Sequence, residues 1–170
     1  MAPIEVGQTI PEGTFAYVEY SPELEDPSVC GKPGQIKTSQ WAGKKVVVFG
    51  VPGAFTPTCS ENHLPPYVQA YDQFKAKGVD AIYCIASNDV FVMSAWGRAL
   101  HTTDKVTTIA DSSLAWLKAA GLTQDLSHVG FGERSARFAA IIDDLKVTYI
   151  GIESGGGVSA SGADAVLAKL

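Results

Sequence analysis

The chain has 170 residues, 46% hydrophobic and 18% charged, with a formal net charge of -5. That suits one domain with a sizeable core, and an acidic balance without a Lys/Arg cluster argues against nucleic-acid binding. No apolar run reaches the ~18 residues a bilayer crossing needs, and the opening MAPIEVGQTIPEG is too polar and turn-rich for a secretory signal.

Phe15–Tyr20 (FAYVEY) alternates its faces and is read as a strand. Ser21–Gly34 is a long loop rich in proline, glycine and acid, and it carries Cys30. Val46–Val51 is a near-continuous apolar run, the pattern of a strand buried on both faces. Thr56-Pro57 has the form of an N-cap followed by the first helical residue. Cys59 then falls in the first turn of a predicted helix that runs to Lys77 and stops at Gly78. Pro65 and Pro66 should kink this helix, because each removes a backbone donor and crowds the preceding turn. Val79–Ala86 is the next strand, followed by a helix from about Asp89 to Leu100 capped by Asn88 or Asp89. Val106–Ala110 is a short strand, and Ser112–Ala120 a helix closed by Gly121. Arg137–Ile142 and Lys146–Glu153 form a predicted hairpin around Asp143 and Asp144. Gly155–Gly157 is a joint before a last helix, ADAVLAKL. No repeat or linker divides the chain, so residues 1–170 are expected to form one α/β domain: a mixed central sheet with helices on both faces.

The three cysteines, Cys30, Cys59 and Cys84, are odd in number and include no CxxC pair. This disfavours a disulfide framework or a cysteine-based zinc site. His63, His101 and His128 are scattered without ligand spacing. Cys59 stands where a buried strand enters a helix, the place where ligands meet an α/β sheet. Free N–H groups and the positive end of the helix favour a thiolate there, and a thiolate is the attacking species of thiol chemistry. The competing reading is an ordinary small buried cysteine. Pro52, Gly53 and Pro57 constrain the loop, and the Thr56 hydroxyl stands three residues before the thiol, where it could bond sulfur or a substrate oxygen. The residues alone reach a reactive thiol in a small pocket and no substrate. His63, one helical turn after Cys59, is read as a pocket-wall or capping residue, since no third group is evident for a hydrolase-type Cys/His pair. Phe55, Phe91 and Trp96 are interface or pocket candidates, with core packing as the default.

PGAFTPTC, with Pro52, Thr56 and Cys59, fits the pattern P-x-x-x-T-x-x-C. The fuller FGVPGAFTPTCSENHLPPY resembles the type II, or Prx5-like, peroxiredoxins, closest in pattern to fungal members. GVDAIYCIASNDVFVMSAW, RFAAIIDDLKVTYIGIE and the closing VLAKL extend the resemblance over essentially the whole chain. It implies a thioredoxin-like fold, whose order of βαβ, hairpin and last helix the pattern above matches. It also implies a thiol-specific peroxidase without metal, haem or other cofactor. Cys59 would be the peroxidatic thiolate, attacking the terminal oxygen of hydrogen peroxide or an alkyl hydroperoxide to become a sulfenic acid. Arg137 matches the family's active-site arginine, a choice over Arg134 that the residues alone do not make. Its charge would favour the thiolate, and its donors would hold the peroxide oxygens. Thr56 would bond the sulfur and the peroxide, and Pro52 would shield the sulfenate.

The resemblance further implies a second thiol that resolves the sulfenic acid. The C-terminal resolving cysteine of vertebrate members has no counterpart in GVSASGADAV, where Ser159 and Ser161 stand. Cys84 matches the second cysteine of plant members, although AIYCIA has the composition of a core strand. Cys30 matches a fungal cysteine that bridges to the partner subunit, and its loop composition suggests exposure and mobility. Cys30 in an intermolecular disulfide is favoured, with direct reduction by glutaredoxin or glutathione as the alternative cycle. Thioredoxin, then glutaredoxin, is the expected electron donor, and a homodimer the expected assembly. A redox relay using the same Cys59 oxidation is the alternative function. The expected location is cytoplasmic, although Ala168-Lys169-Leu170 is a near match to the S-K-L peroxisomal address.

Overall fold

The computed structural model describes residues 1–170. It contains strands β1 (Thr14–Val18), β2 (Pro33–Lys37), β3 (Lys45–Gly50), β4 (Ala81–Ala86), β5 (Thr107–Ala110), β6 (Thr123–Asp125), β7 (Glu133–Ser135), β8 (Phe138–Asp143) and β9 (Lys146–Ile152). The helices are α1 (Leu64–Gln69), α2 (Tyr71–Ala76), α3 (Val90–Ala99), α4 (Ala115–Ala119) and α5 (Ala163–Leu167). Seven strands make one sheet in the order β2-β1-β5-β4-β3-β8-β9, and β6 pairs with β7 apart from it. β3 runs parallel to β4 and antiparallel to β8, so the sheet is mixed as expected.

The apolar run of β3 is explained by its central place. Val47, Phe49 and Val51 face one core with Leu64, Tyr67, Phe74, Met93, Trp96 and Val166. Val46 and Val48 face the other with Phe15, Trp41, Trp116 and Leu117. Helices therefore cover both faces, and each such apolar side chain contributes roughly 1.5–3 kcal/mol on burial. Phe49 stacks on Tyr67 at 4.0 Å between ring centroids, and Tyr67 on Phe74 at 5.5 Å.

Several elements differ from expectation for identifiable reasons. β2 lies inside and beyond the predicted Ser21–Gly34 loop; it is an edge strand, where Pro33 and Gly34 are tolerated. β6 and β7 are three residues each, too short for a periodic signal. The hairpin turns one residue later than predicted, at Asp144 and Leu145, both with positive φ as a tight two-residue loop requires. Asp89 caps α3, accepting from Phe91 N and Val92 N. Asn88 instead accepts from Ala54 N at 2.9 Å and so holds the loop after β3.

The helix after that loop shows the largest departure. It starts at Pro57, widens into a π-turn over Cys59–His63, continues as α1, breaks at Ala70 and resumes as α2. Pro65 and Pro66 have no N–H to return to the carbonyls of Glu61 and Asn62. Leu64 N donates instead to Cys59 O, five residues back. The expected kink is thus present, expressed as a wider turn that begins at Cys59.

Candidate active site

β3 ends at Gly50, opposite Phe138 at the start of β8. A Cβ on Gly50 would lie 2.2 Å from the Phe138 ring, so only glycine allows this approach. The pairing places Arg137, one residue before β8, beside the loop that follows β3. In that loop Phe55 takes φ +61, which costs about 1–2 kcal/mol for an L-residue and leaves its ring largely exposed. The chain then turns into the helix, and the Thr56 carbonyl accepts from Ser60 N at 3.0 Å, as an N-cap carbonyl does.

Cys59 is fully buried. Arg137 Nη2 donates to its Sγ at 3.3 Å. The guanidinium cannot be deprotonated, so it favours negative charge on the sulfur. Arg137 Nη1 donates to His63 Nδ1 at 3.1 Å. Because arginine only donates, His63 Nδ1 accepts and the ring proton sits on Nε2, which donates to Ser161 O at 2.9 Å. Tyr67 OH donates to the same carbonyl at 2.6 Å. Burial, reinforced by the Arg137 charge, lowers the His63 pKa from 6.5 to about 4 and keeps the ring neutral.

Behind Ser161 stands Glu153, whose carboxylate accepts from Ser159 N, Ser159 Oγ, Ser161 N and Ser161 Oγ at 2.6–2.8 Å. Desolvation opposes its charge, but these bonds outweigh it and bring the pKa to about 2. Glu153 N donates to Arg137 O at 2.9 Å, closing a ring through Arg137, His63, Ser161 and Glu153.

This network makes acid stability a direct readout. Unfolded His63 binds a proton below pH 6.5, but the folded ring does not until about pH 4. Folded stability is therefore expected to fall as pH drops from 6.5 to 4, by about 3 kcal/mol from this residue. Glu153 adds a second loss between its ordinary 4.5 and about 2. Denaturant melts of His63→Gln across pH 4–6.5 should show a flatter slope than the parent; an equal slope would refute the assignment.

The expected residues come together only in part. Pro52, Thr56 and Arg137 line one cavity of about 300 Å³ with Pro57, Leu126 and Phe131. Cys59 meets that cavity through Arg137 rather than lining it. The Thr56 hydroxyl, expected on the sulfur, donates to Gly53 O at 2.7 Å and braces the loop instead. Arg134 does not reach the sulfur; it donates to Phe131 O and, at 3.5 Å, to Pro52 O, and lies 5.4 Å over the Phe131 ring. Trp96 is core, and its Nε1 donates to Ser60 Oγ at 3.0 Å beside Cys59. Phe55 and Phe91 depart from the core default; both are exposed and line a surface groove with Cys30.

The two remaining thiols differ sharply. Cys84 is buried on β4, and burial pushes its pKa well up, with the nearby Cys59 adding to the effect. Cys30 is exposed. Its loop is not the loose segment expected from composition. Leu24 is buried, Arg98 Nη1 donates to Leu24 O at 2.6 Å and Val29 O at 2.9 Å, and Asp26 holds Ser28. Sequence reasoning missed the parts played by His63, Ser161 and Glu153. The one-turn spacing from Cys59 marked the first only as a pocket-wall or capping residue, not as the partner of Arg137; nothing local marks the others.

The Redoxin family model matches residues 5–167. A Malassezia furfur protein carrying a peroxiredoxin name is 52% identical over 167 residues, covering 98% of this chain and 100% of that one. Peroxiredoxin-2B of Arabidopsis thaliana is 45% identical over 170 residues, with full coverage of both chains. Reduced Prx3 from Vibrio vulnificus, solved in complex with hydrogen peroxide, superposes with a TM-score of 0.84 at 41% identity, covering 98% of this chain and 99% of that one. The mixed sheet is thus the thioredoxin-like sheet of such proteins. Motif, topology and relatives agree: the chain belongs to the peroxiredoxins, in their type II, Prx5-like branch.

Proposed function

We propose that Cys59 is the nucleophile of this thiol peroxidase and that Arg137 holds the reacting oxygens. The observation that carries this is the 3.3 Å contact between Arg137 Nη2 and Cys59 Sγ, made by a guanidinium that also lines the cavity. The thiolate attacks the terminal oxygen of hydrogen peroxide or an alkyl hydroperoxide. An S–O bond forms, the O–O bond breaks, and the sulfur gives two electrons. Water or an alcohol leaves after taking up a proton. Arg137 offsets the charge moving from sulfur to the departing oxygen. Thr56, braced on Gly53 O, lines the cavity and serves as an acceptor for the peroxide proton, and Pro52 lines the same cavity.

A second thiol then attacks the sulfenic acid, forming a disulfide and releasing water. Exposure of Cys30 and burial of Cys84 favour Cys30. The groove that Cys30 shares with exposed Phe55 and Phe91 supports a homodimer in which this thiol comes from the partner subunit. Thioredoxin, or else glutaredoxin, reduces the disulfide. One equivalent of peroxide should give a covalent dimer on a non-reducing gel, lost in Cys30→Ser and kept in Cys84→Ser. A dimer that survives Cys30→Ser would rule Cys30 out. For location we propose the cytoplasm; Ala168-Lys169-Leu170 supports a peroxisomal alternative, although Leu170 is packed against the core.

A further inference from the structure

The Glu153 carboxylate gathers four donors, yet it touches neither the sulfur nor Arg137's guanidinium. It lines the same cavity as Arg137 and its charge reaches the His63 ring through space, but its hydrogen bonds reach the centre through Ser161. That residue is fully buried, and its carbonyl is the acceptor that fixes the proton on His63 Nε2. With the proton there, His63 Nδ1 presents a lone pair to Arg137 Nη1. With the proton on Nδ1, two donors would face each other at 3.1 Å, and the guanidinium would have to turn away from Cys59. The position of one carbonyl therefore supports the direction in which a cation points. That carbonyl belongs to a segment entered through Gly155, Gly156 and Gly157, which fix little by themselves. Its other side-chain ties to the body are Tyr149 OH donating to Ala160 O at 2.7 Å and Tyr67 OH donating to Ser161 O at 2.6 Å. Glu153 also donates its own N–H to Arg137 O, so it holds the arginine by the backbone and, through Ser161 and His63, by the side chain.

We propose that Glu153 is a positioning residue for the peroxidatic centre. By holding Ser161 it fixes the proton on His63 Nε2 and so aims the Arg137 guanidinium at Cys59 Sγ. This rests on the assignment of Cys59 as the nucleophile.

The test is Glu153→Gln, which keeps the shape and removes the charge and half the acceptor capacity. Two readouts separate aiming from mere tethering: the single-turnover rate of Cys59 oxidation by hydrogen peroxide, and the pH at which the Cys59 thiolate forms. Oxidation is expected to slow about 10-fold, less than the ~10²-fold cost of a full 1 Å misplacement, and the thiolate titration should move to higher pH. A variant with a lower melting temperature but both readouts unchanged would overturn the proposal. The double variant Ser159→Ala/Ser161→Ala removes two donors and leaves the carboxylate. It should move both readouts in the same direction by less, and unchanged values there would also overturn it, even if Glu153→Gln does not fold. Peroxidase activity surviving in Cys59→Ser would show that the centre itself is misassigned. An inactive Cys59→Ser with an unaffected Glu153→Gln would remove only the present inference.

Discussion

Cys59→Ser should reduce peroxide consumption, coupled to thioredoxin, to the uncatalysed background. Oxygen replaces sulfur at a fully buried position with little change in volume, so the fold is expected to persist. What disappears is the chemistry. A serine hydroxyl lacks a base to remove its proton here, since Arg137 only donates and the His63 lone pair is already engaged by it. A sulfenic-acid trapping reagent should correspondingly label the parent after peroxide treatment and leave the variant unlabelled at this position. Turnover retained in Cys59→Ser would sink the proposed mechanism.

Arg137→Gln should lower kcat/KM for hydrogen peroxide by about 10²–10³-fold, or roughly 3–4 kcal/mol of transition-state stabilisation. Two effects combine. The sulfur loses the cation 3.3 Å away that offsets negative charge on it. The transferring oxygens also lose donors that act as charge moves onto the departing group. Arg137→Lys should recover only part of the loss, because an ammonium cannot serve Cys59 Sγ and His63 Nδ1 with a planar fork. Stopped-flow oxidation rates and thiolate absorbance against pH check both effects. An unchanged rate in Arg137→Gln would show that the contact is structural only.

Much of this was legible in the residues. The apolar run of β3, the proline and glycine punctuation around Cys59, and the breaks at Gly78 and Gly121 each act within a few neighbours. The strand, the helix start and the lone thiol between them could therefore be read directly. The form of the kink could not, because two prolines specify lost donors but not which carbonyl the chain will use instead. Thr56 shows the same limit from another side. A hydroxyl three residues before a thiol is visible, whereas its preference for Gly53 O depends on the loop's path. Composition misled on the Cys30 loop, since acid, proline and glycine describe its surface and not the Arg98 clamp beneath it. Arg137, Ser161 and Glu153 lay beyond local reasoning because they meet Cys59 and His63 only when the sheet closes.

That distance has a consequence for the making of the protein. Arg137 follows Cys59 by 78 residues and Ser161 follows His63 by 98. At a synthesis rate of about 5–20 residues per second, the arginine emerges roughly 4–16 s after the cysteine. Through that interval the growing chain carries an ordinary thiol, with no cation beside it and no cavity in front. The nucleophile is armed only when the last strands have joined the sheet and the segment before the final helix has settled. A half-made chain thus carries Cys59 without the Arg137 contact on which the proposed chemistry depends.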